Sequence, residues 1–294
     1  MPADRSDVVE DPDMRQIAVA AVLALGALIS AQAACLGHAE PEQRFGFEVV
    51  PQFPASKIYA TWAPVLERVG QAARVCFELK IAPSIPDFEI QLLQGRPEWA
   101  YANPYHAVLA HQRQRYVPVL ANGQEMLSGI LTVPRQSPIQ RLDQLRGQKV
   151  AFPAPNAFAA SLLIRAELAR QQVEITPVFV KTHSNVYRSV IAGDAAAGGG
   201  VNQTLQSEPA AVQAELRVLF ESPGYTPHPV LAHPSVPAAL RQRVEAAFLA
   251  LGQDAAGQAL LEGVNLEQPK RVTYAQHYKP LESLKLEKFL RLGP

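Results

Sequence analysis

Cysteine is nearly missing: the 294 residues hold two, Cys35 and Cys76. That excludes a framework of several disulfides and any metal site built on paired cysteines. Net charge is missing too, because 27 lysines and arginines balance 27 aspartates and glutamates. A chain without a global field has nothing to draw it to a polyanion, so nucleic-acid binding is set aside. Charged residues are only 18% against 48% apolar ones, which excludes extended disorder and allows a sizeable core. The motifs of common catalytic machineries are also missing: no G-x-S-x-G, P-loop, G-x-G-x-x-G or H-E-x-x-H occurs. Binding without turnover is the simplest account. No enzyme activity, metal or cofactor is expected.

What is present begins with a leader. "MRQIAVAAVLALGALISAQAACLGHAEPEQ" has one arginine, an apolar run from Ile17 to Ile29, and then small residues. This is the layout of a secretory signal, here placed over residues 1–39. The run is too short to span a bilayer. Met14 is an alternative start, since the acidic "MPADRSDVVEDPD" is odd ahead of a signal. Cleavage could follow Ala33 or Ala39. Cys35 invites lipid attachment, but Gln32-Ala33-Ala34 departs from the leucine-small-small pattern, so the cleaved form is preferred. Cleavage beyond Cys35 would leave Cys76, in "RVCFELKI", as a small buried hydrophobe with no partner.

From Arg44 onward, short apolar strands alternate with amphipathic helices. "FGFEVVP", "VCFELKIAP", "WAYANPY", "VPVLAN" and "SGILTVP" read as strands. Between them, "ASKIYATWAPVLERVGQAA" sets Ile58, Trp62, Val65, Leu66 and Val69 on one helical face, with "IPDFEIQLLQG" and "HAVLAHQRQ" as further helices. A second succession follows from "KVAFPAP" through "NAFAASLLIRAELARQQ", "VEITPVFVKT" and "HSNVYRSVIAG" to the strand-like "AAAGGGVNQT" and a helix end and strand in "VQAELRVLFES". The C-terminal part, "PAALRQRVEAAFLAL" through "GQALLEG", reads as helical. The alternation predicts an α/β protein of two lobes, each a mixed, mostly parallel sheet flanked by helices. One lobe takes residues 40–131 and 226–294 and the other 132–225, with crossings near Ile130 to Val133 and Ser222 to Thr226. The 25 prolines suit many short, stiff connections.

In such sheets ligands gather beyond the carboxyl ends of strands, where helices begin. "VAFPAP" followed by "NAFAAS" puts Asn156 at a helix cap, with the amides of Ala157 and Phe158 behind it; "VFVKT" followed by "HSNVY" does the same with His183 and Ser184. Two helix starts facing one crevice would favour an anion. Gly198, Gly199 and Gly200 allow tight packing or close backbone approach. The first half offers neutral donors: Gln52, Ser56 and Tyr59 at one junction, and Tyr101, Asn103, Tyr105 and His106 in "YANPYHAV". Tyr59 and Trp62 read equally well as core. His228 and His233 lie in the proline-rich "YTPHPVLAHP", and no compact ligand cluster accompanies them, so a metal is not expected.

The stretches "VVPQFPASKIYATWAPVLE", "YANPYHAV", "GILTVPRQSPI", "LRGQKVAFPAPNAFAASLLIR" and "KTHSNVYRSVIAGDAAAGGGVNQTL" resemble the periplasmic solute-binding proteins of phosphate, phosphite and phosphonate ABC transporters. The resemblance implies a type II periplasmic-binding-protein clamshell that closes on its ligand by hinge motion. It implies a monomer in the periplasm, binding a small oxyanion and handing it to an inner-membrane permease. His183 and Ser184 match the family's helix-start histidine and hydroxyl, and Tyr59 and Tyr105 match its first-lobe tyrosines approximately. Asn156-Ala157-Phe158 stands where family members carry a hydroxyl pair, and "AAAGGGVNQT" lacks the acidic partner of a ligand amino group. The expected binding residues are therefore Tyr59, Asn103, Tyr105, Asn156, Ala157, Phe158, His183 and Ser184, for a small oxyanion rather than an aminoalkyl phosphonate. The alternative is a sensor subunit that presents a bound oxyanion, such as an arsenic one, to a membrane histidine kinase. An enzyme on the same scaffold is a third reading, without a candidate acid or base.

Overall fold

The structure, a computed structural model, describes residues 35–291. The leader lies outside the described residues except for its last five.

The first half of the chain contributes β1 (Leu36–Gly37), β2 (Arg44–Val49), α1 (Ala55–Ala73), β3 (Cys76–Ile81), α2 (Ile85–Leu93), β4 (Trp99–Tyr101), α3 (Pro104–Gln114) and β5 (Val117–Ala121). The apolar stripe of α1 is buried as its spacing predicts, with Ile58, Trp62, Val65, Leu66 and Val69 facing the sheet. Capping fixes the next two helix starts. Ser84 accepts from the Asp87 amide ahead of α2, and Asn103 accepts from the His106 amide ahead of α3, with proline in the first turn of each.

The chain then supplies β6 (Gly129–Pro134), β7 (Lys149–Phe152), a π-helical turn over Phe158–Leu163 that runs into α4 (Ile164–Arg170), β8 (Thr176–Phe179), α5 (His183–Ile191), β9 (Ala197–Val201), α6 (Asn202–Gln206), α7 (Ala210–Ala214) and β10 (Leu216–Glu221). It returns with β11 (Pro229–Ala232), α8 (Ala238–Leu251), α9 (Ala255–Glu262) and β12 (Lys270–Arg271).

Among the described residues the strands form two mixed sheets, ordered β1-β3-β2-β4-β11-β5-β12 and β10-β6-β9-β7-β8. The same plan builds both. In the larger sheet β2 pairs in parallel with β3 and β4, and β11 inserts antiparallel between β4 and β5. In the smaller sheet β7 pairs in parallel with β8 and β9, and β6 inserts antiparallel between β9 and β10. The parallel pairs follow from strand-helix-strand crossovers. Each inserted strand comes directly after the chain has passed from the other sheet. The passages run through residues 122–128 and 222–228 and pair with each other at Leu127 and Tyr225. Ile130 to Val133, read from sequence as the first crossing, lie inside β6.

Aromatic packing centres the larger core: Phe47 meets Trp62 at 5.2 Å, and Trp62 meets Tyr101 at 4.8 Å. One expectation is corrected here. Cys76 is joined to Cys35 in a disulfide that ties the edge strand β1 to β3. Leu36 and Gly37 form strand structure upstream of Ala39, and Cys35 has a protein partner.

Candidate functional site

The carboxyl ends of strands from both sheets converge on one cavity. Val50 and Gln52 follow β2, Asn103 follows β4, Ala157 to Ala160 follow β7, His183 follows β8, and Val201 ends β9. His228 joins them from the second passage. The cavity measures about 10 Å³, room for about one water. No lysine, arginine, aspartate or glutamate lines it.

Two long-range contacts hold the sheets together around it. The His183 amide donates to the Gln52 carbonyl at 3.1 Å. The Asn156 side-chain amide donates to Glu89 Oε2 at 2.8 Å. Glu89 also takes His106 Nε2 at 2.7 Å through its other oxygen, and Asn103 Nδ2 reaches the Asn156 carbonyl at 3.3 Å.

The predicted residues divide. Asn103, Ala157, Phe158 and His183 line the cavity together. Asn156 does not cap a helix: its amide group is also engaged by both backbone groups of Arg291, at 2.9 Å each. The residue before the π turn is Ala157, which has no side-chain cap bond. The first amides of a helix have no acceptor within it, and those of Phe158, Ala159 and Ala160 belong to cavity-lining residues. At α5 the cap is Thr182, whose hydroxyl accepts from the Asn185 amide, so His183 and Ser184 are first-turn residues rather than caps. Ser184 turns away and donates to Glu208 at 2.5 Å. Tyr105 stacks on Phe158 with rings 6.1 Å apart and gives its hydroxyl to Glu287, while Tyr59 is 47% exposed on α1; neither lines the cavity.

The three glycines serve packing. A Cβ at Gly198 would lie 2.5 Å from Val186 Cγ1. One at Gly199 would strike the Ala160 carbonyl, and one at Gly200 the Tyr187 hydroxyl. The backbone of β9 thus lies against the Ala160 carbonyl of the π turn and against the Val186, Val190 and Tyr187 side chains of α5, a closeness only glycine permits.

His183 is held by a chain of hydroxyls. Thr204 Oγ1 donates to the Val201 carbonyl at 3.0 Å and sits 3.1 Å from His183 Nδ1 and 2.8 Å from the Tyr187 hydroxyl. Burial pushes both His183 and His228 down to about 3; for His228 the neighbouring His183 and His106 add to the effect. Both rings are therefore neutral near pH 7. Sequence weighed His228 only as a metal ligand. Its place at the cavity depends on the second passage folding back, which no local pattern signals. His233 lies elsewhere, against Tyr116 and Ser235. Among the described residues no group of three or more metal-ligating side chains occurs.

A family model described as "ABC transporter, phosphonate, periplasmic substrate-binding protein" matches residues 47–278. The chain belongs to this family of phosphonate-binding proteins. No curated protein sequence matches the chain. Among solved structures, PhnD1 from Prochlorococcus marinus in complex with methylphosphonate aligns with a TM-score of 0.75 at 13% identity, covering 83% of this chain and 98% of that one. A binding-protein component of an ABC phosphonate transporter from Pseudomonas aeruginosa aligns at 0.74 and 14% identity, covering 84% and 86%. The periplasmic aliphatic sulphonate binding protein of Escherichia coli aligns at 0.55 and 15%, covering 84% and 91%. At these identities the likenesses show the fold: a two-lobed periplasmic binding protein. Members of the family are periplasmic substrate-binding proteins that work with ABC transporters rather than as enzymes. No helix among the described residues is long and apolar enough to cross a membrane.

Proposed function

We propose that the protein captures a small oxyanion (phosphate, phosphite or a short phosphonate) between its sheets and delivers it to an ABC importer. One observation carries this reading. A cavity at the strand ends of both sheets is lined by the first-turn residues Phe158, Ala159 and Ala160 and by Asn103, Gln52 and His183, with no charged side chain among them. Backbone amides at a helix start stabilise an anion without a buried counter-charge. The lack of a lining carboxylate leaves an aminoalkyl ligand without a partner for its ammonium. Asn103, Ala157, Phe158 and His183 are the proposed contacts.

The cavity is too small for the ligand as it stands, so the mechanism requires the two bodies, residues 35–121 with 229–291 against 129–221, to part about the paired passages. Opening would break the contact of the His183 amide with Gln52 and that of Lys57 Nζ with the Ser207 carbonyl, 3.1 Å each. A ligand that touches both sides favours the closed form by its differential affinity, and that form is what a permease would recognise.

A thermal-shift screen of oxyanions tests this, because a ligand bound only by the folded form raises Tm. A rise with one phosphorus oxyacid that is lost in His183→Ala supports the reading. No rise with phosphate, phosphite or methylphosphonate sinks it.

A further inference from the structure

His228 is 4% exposed, lines the cavity, and has no hydrogen-bond partner among the described residues. Its ring stacks on Tyr101 with centroids 5.5 Å apart, which fixes its plane. A buried ring that lines a cavity and has no protein partner is placed to bond a ligand. His183 lines the same cavity, and its hydroxyl chain favours one tautomer. The Val201 carbonyl, which can only accept, is reached by Thr204 Oγ1 at 3.0 Å and by the Tyr187 hydroxyl at the longer 3.4 Å; with the Thr204 proton on the shorter contact, Thr204 accepts from both Tyr187 and His183 Nδ1. The neutral His183 ring then carries its proton on Nδ1 and presents the Nε2 lone pair to the cavity.

The remaining groups around His228 do not change this. Tyr101 from β4 lies under it, and His106 from α3 is paired with Glu89 from α2. Tyr278 donates to the adjacent Pro227 carbonyl. A site with amides on one side and an imidazole acceptor on the other suits an occupant that both accepts and donates.

We infer that His228 is a second ligand-binding imidazole and that, with His183, it selects an oxyacid still carrying an exchangeable proton over a fully ionised anion of the same shape. Phosphate, phosphite and methylphosphonate keep such a proton near neutral pH; sulfate and methanesulfonate do not. In the complex one proton is shared between a ligand oxygen and an imidazole nitrogen. Capture of a dianion therefore takes a proton from solvent. Facing the Nε2 lone pair of His183, sulfate would set acceptor against acceptor.

This inference rests on the oxyanion reading, and calorimetry on the full chain separates the two. Wild type is titrated with phosphate, phosphite, methylphosphonate, sulfate and methanesulfonate at pH 7. The best phosphorus oxyacid is expected to bind on the order of a hundredfold more tightly than its sulfur counterpart, the scale of an unpaired buried polar group. At pH 8, titrations in buffers of different ionisation enthalpy should show net proton uptake. His228→Phe keeps the stacking on Tyr101; it should weaken the phosphorus ligand at least about tenfold and shrink the discrimination. Equal binding of sulfate by wild type, or unchanged affinity and discrimination in a folded His228→Phe, overturns the inference and leaves the oxyanion reading standing. Absence of binding to every probe overturns both.

Discussion

The carboxylate of Glu89, on the helix α2 of the larger sheet, accepts from the side-chain amide of Asn156, beyond strand β7 of the smaller one, at 2.8 Å. Both groups are buried, and the second Glu89 oxygen is taken by His106. The amide group of Asn156 also closes a pair of bonds on the Arg291 backbone, so this one side chain fastens the C-terminal segment as well. Asn156→Ala would leave a buried carboxylate half-partnered and two backbone groups unpaired. We expect a loss of about 2–3 kcal/mol, read as a fall of about 5–10 °C in Tm by calorimetry. A variant that melts with the wild type would show that the contact contributes nothing.

The glycines of β9 make a second expectation. Gly199→Ala sets a methyl group against the Ala160 carbonyl, within the run of first-turn residues proposed to hold the ligand. The π turn must shift or the strand must move, at about 1–3 kcal/mol. Binding of the best oxyanion should weaken about tenfold, because misplaced donors make poorer hydrogen bonds to it. Calorimetry of a folded Gly199→Ala with wild-type affinity would show that the turn tolerates displacement.

These two cases mark where sequence was enough and where it was not. The stripe of α1 and the strand-helix alternation follow from local periodicity, and the structure forms those elements. The helix cap expected at Asn156 fails because its side chain is claimed by Glu89 and Arg291, both far along the chain. Local pattern cannot see such competitors. Cys76 was read without a partner on the premise of cleavage beyond Cys35; only sheet pairing brings Cys35 to Cys76. His228 carries no motif, and a fold-level passage alone delivers it to the cavity.

The disulfide itself can be weighed. Cys35 and Cys76 are 41 residues apart. In the chain-entropy account, closing a loop of that length destabilises the unfolded chain by about 4 kcal/mol. Cys76→Ser should therefore lower Tm, and a reductant should lower the wild-type Tm to a similar value while leaving the variant unmoved. Mass spectrometry of the purified protein under non-reducing conditions should find no free thiol. Two alkylatable thiols in the native protein would contradict the pairing.

Acid-base behaviour of the core gives the last expectation. Glu48 lies in β2, only 5% exposed, and burial raises its carboxyl to about 7 against the pull of Lys80 and Arg96. In the unfolded chain the same group ionises near 4.5. Between these values the folded protein holds a proton that the unfolded chain has released, so the fold is favoured most below about 4.5 and loses that advantage as pH rises through 7. The loss is on the order of 3 kcal/mol at most and is complete above pH 8. Glu48→Gln carries no charge at any pH and is spared it. Melting curves at pH 5, 6, 7 and 8 should show the variant gaining on the wild type across the series, whatever its starting offset. A difference that stays constant from pH 5 to 8 would mean that Glu48 ionises in the fold as it does in water, and that its burial is relieved by solvent or by Lys80.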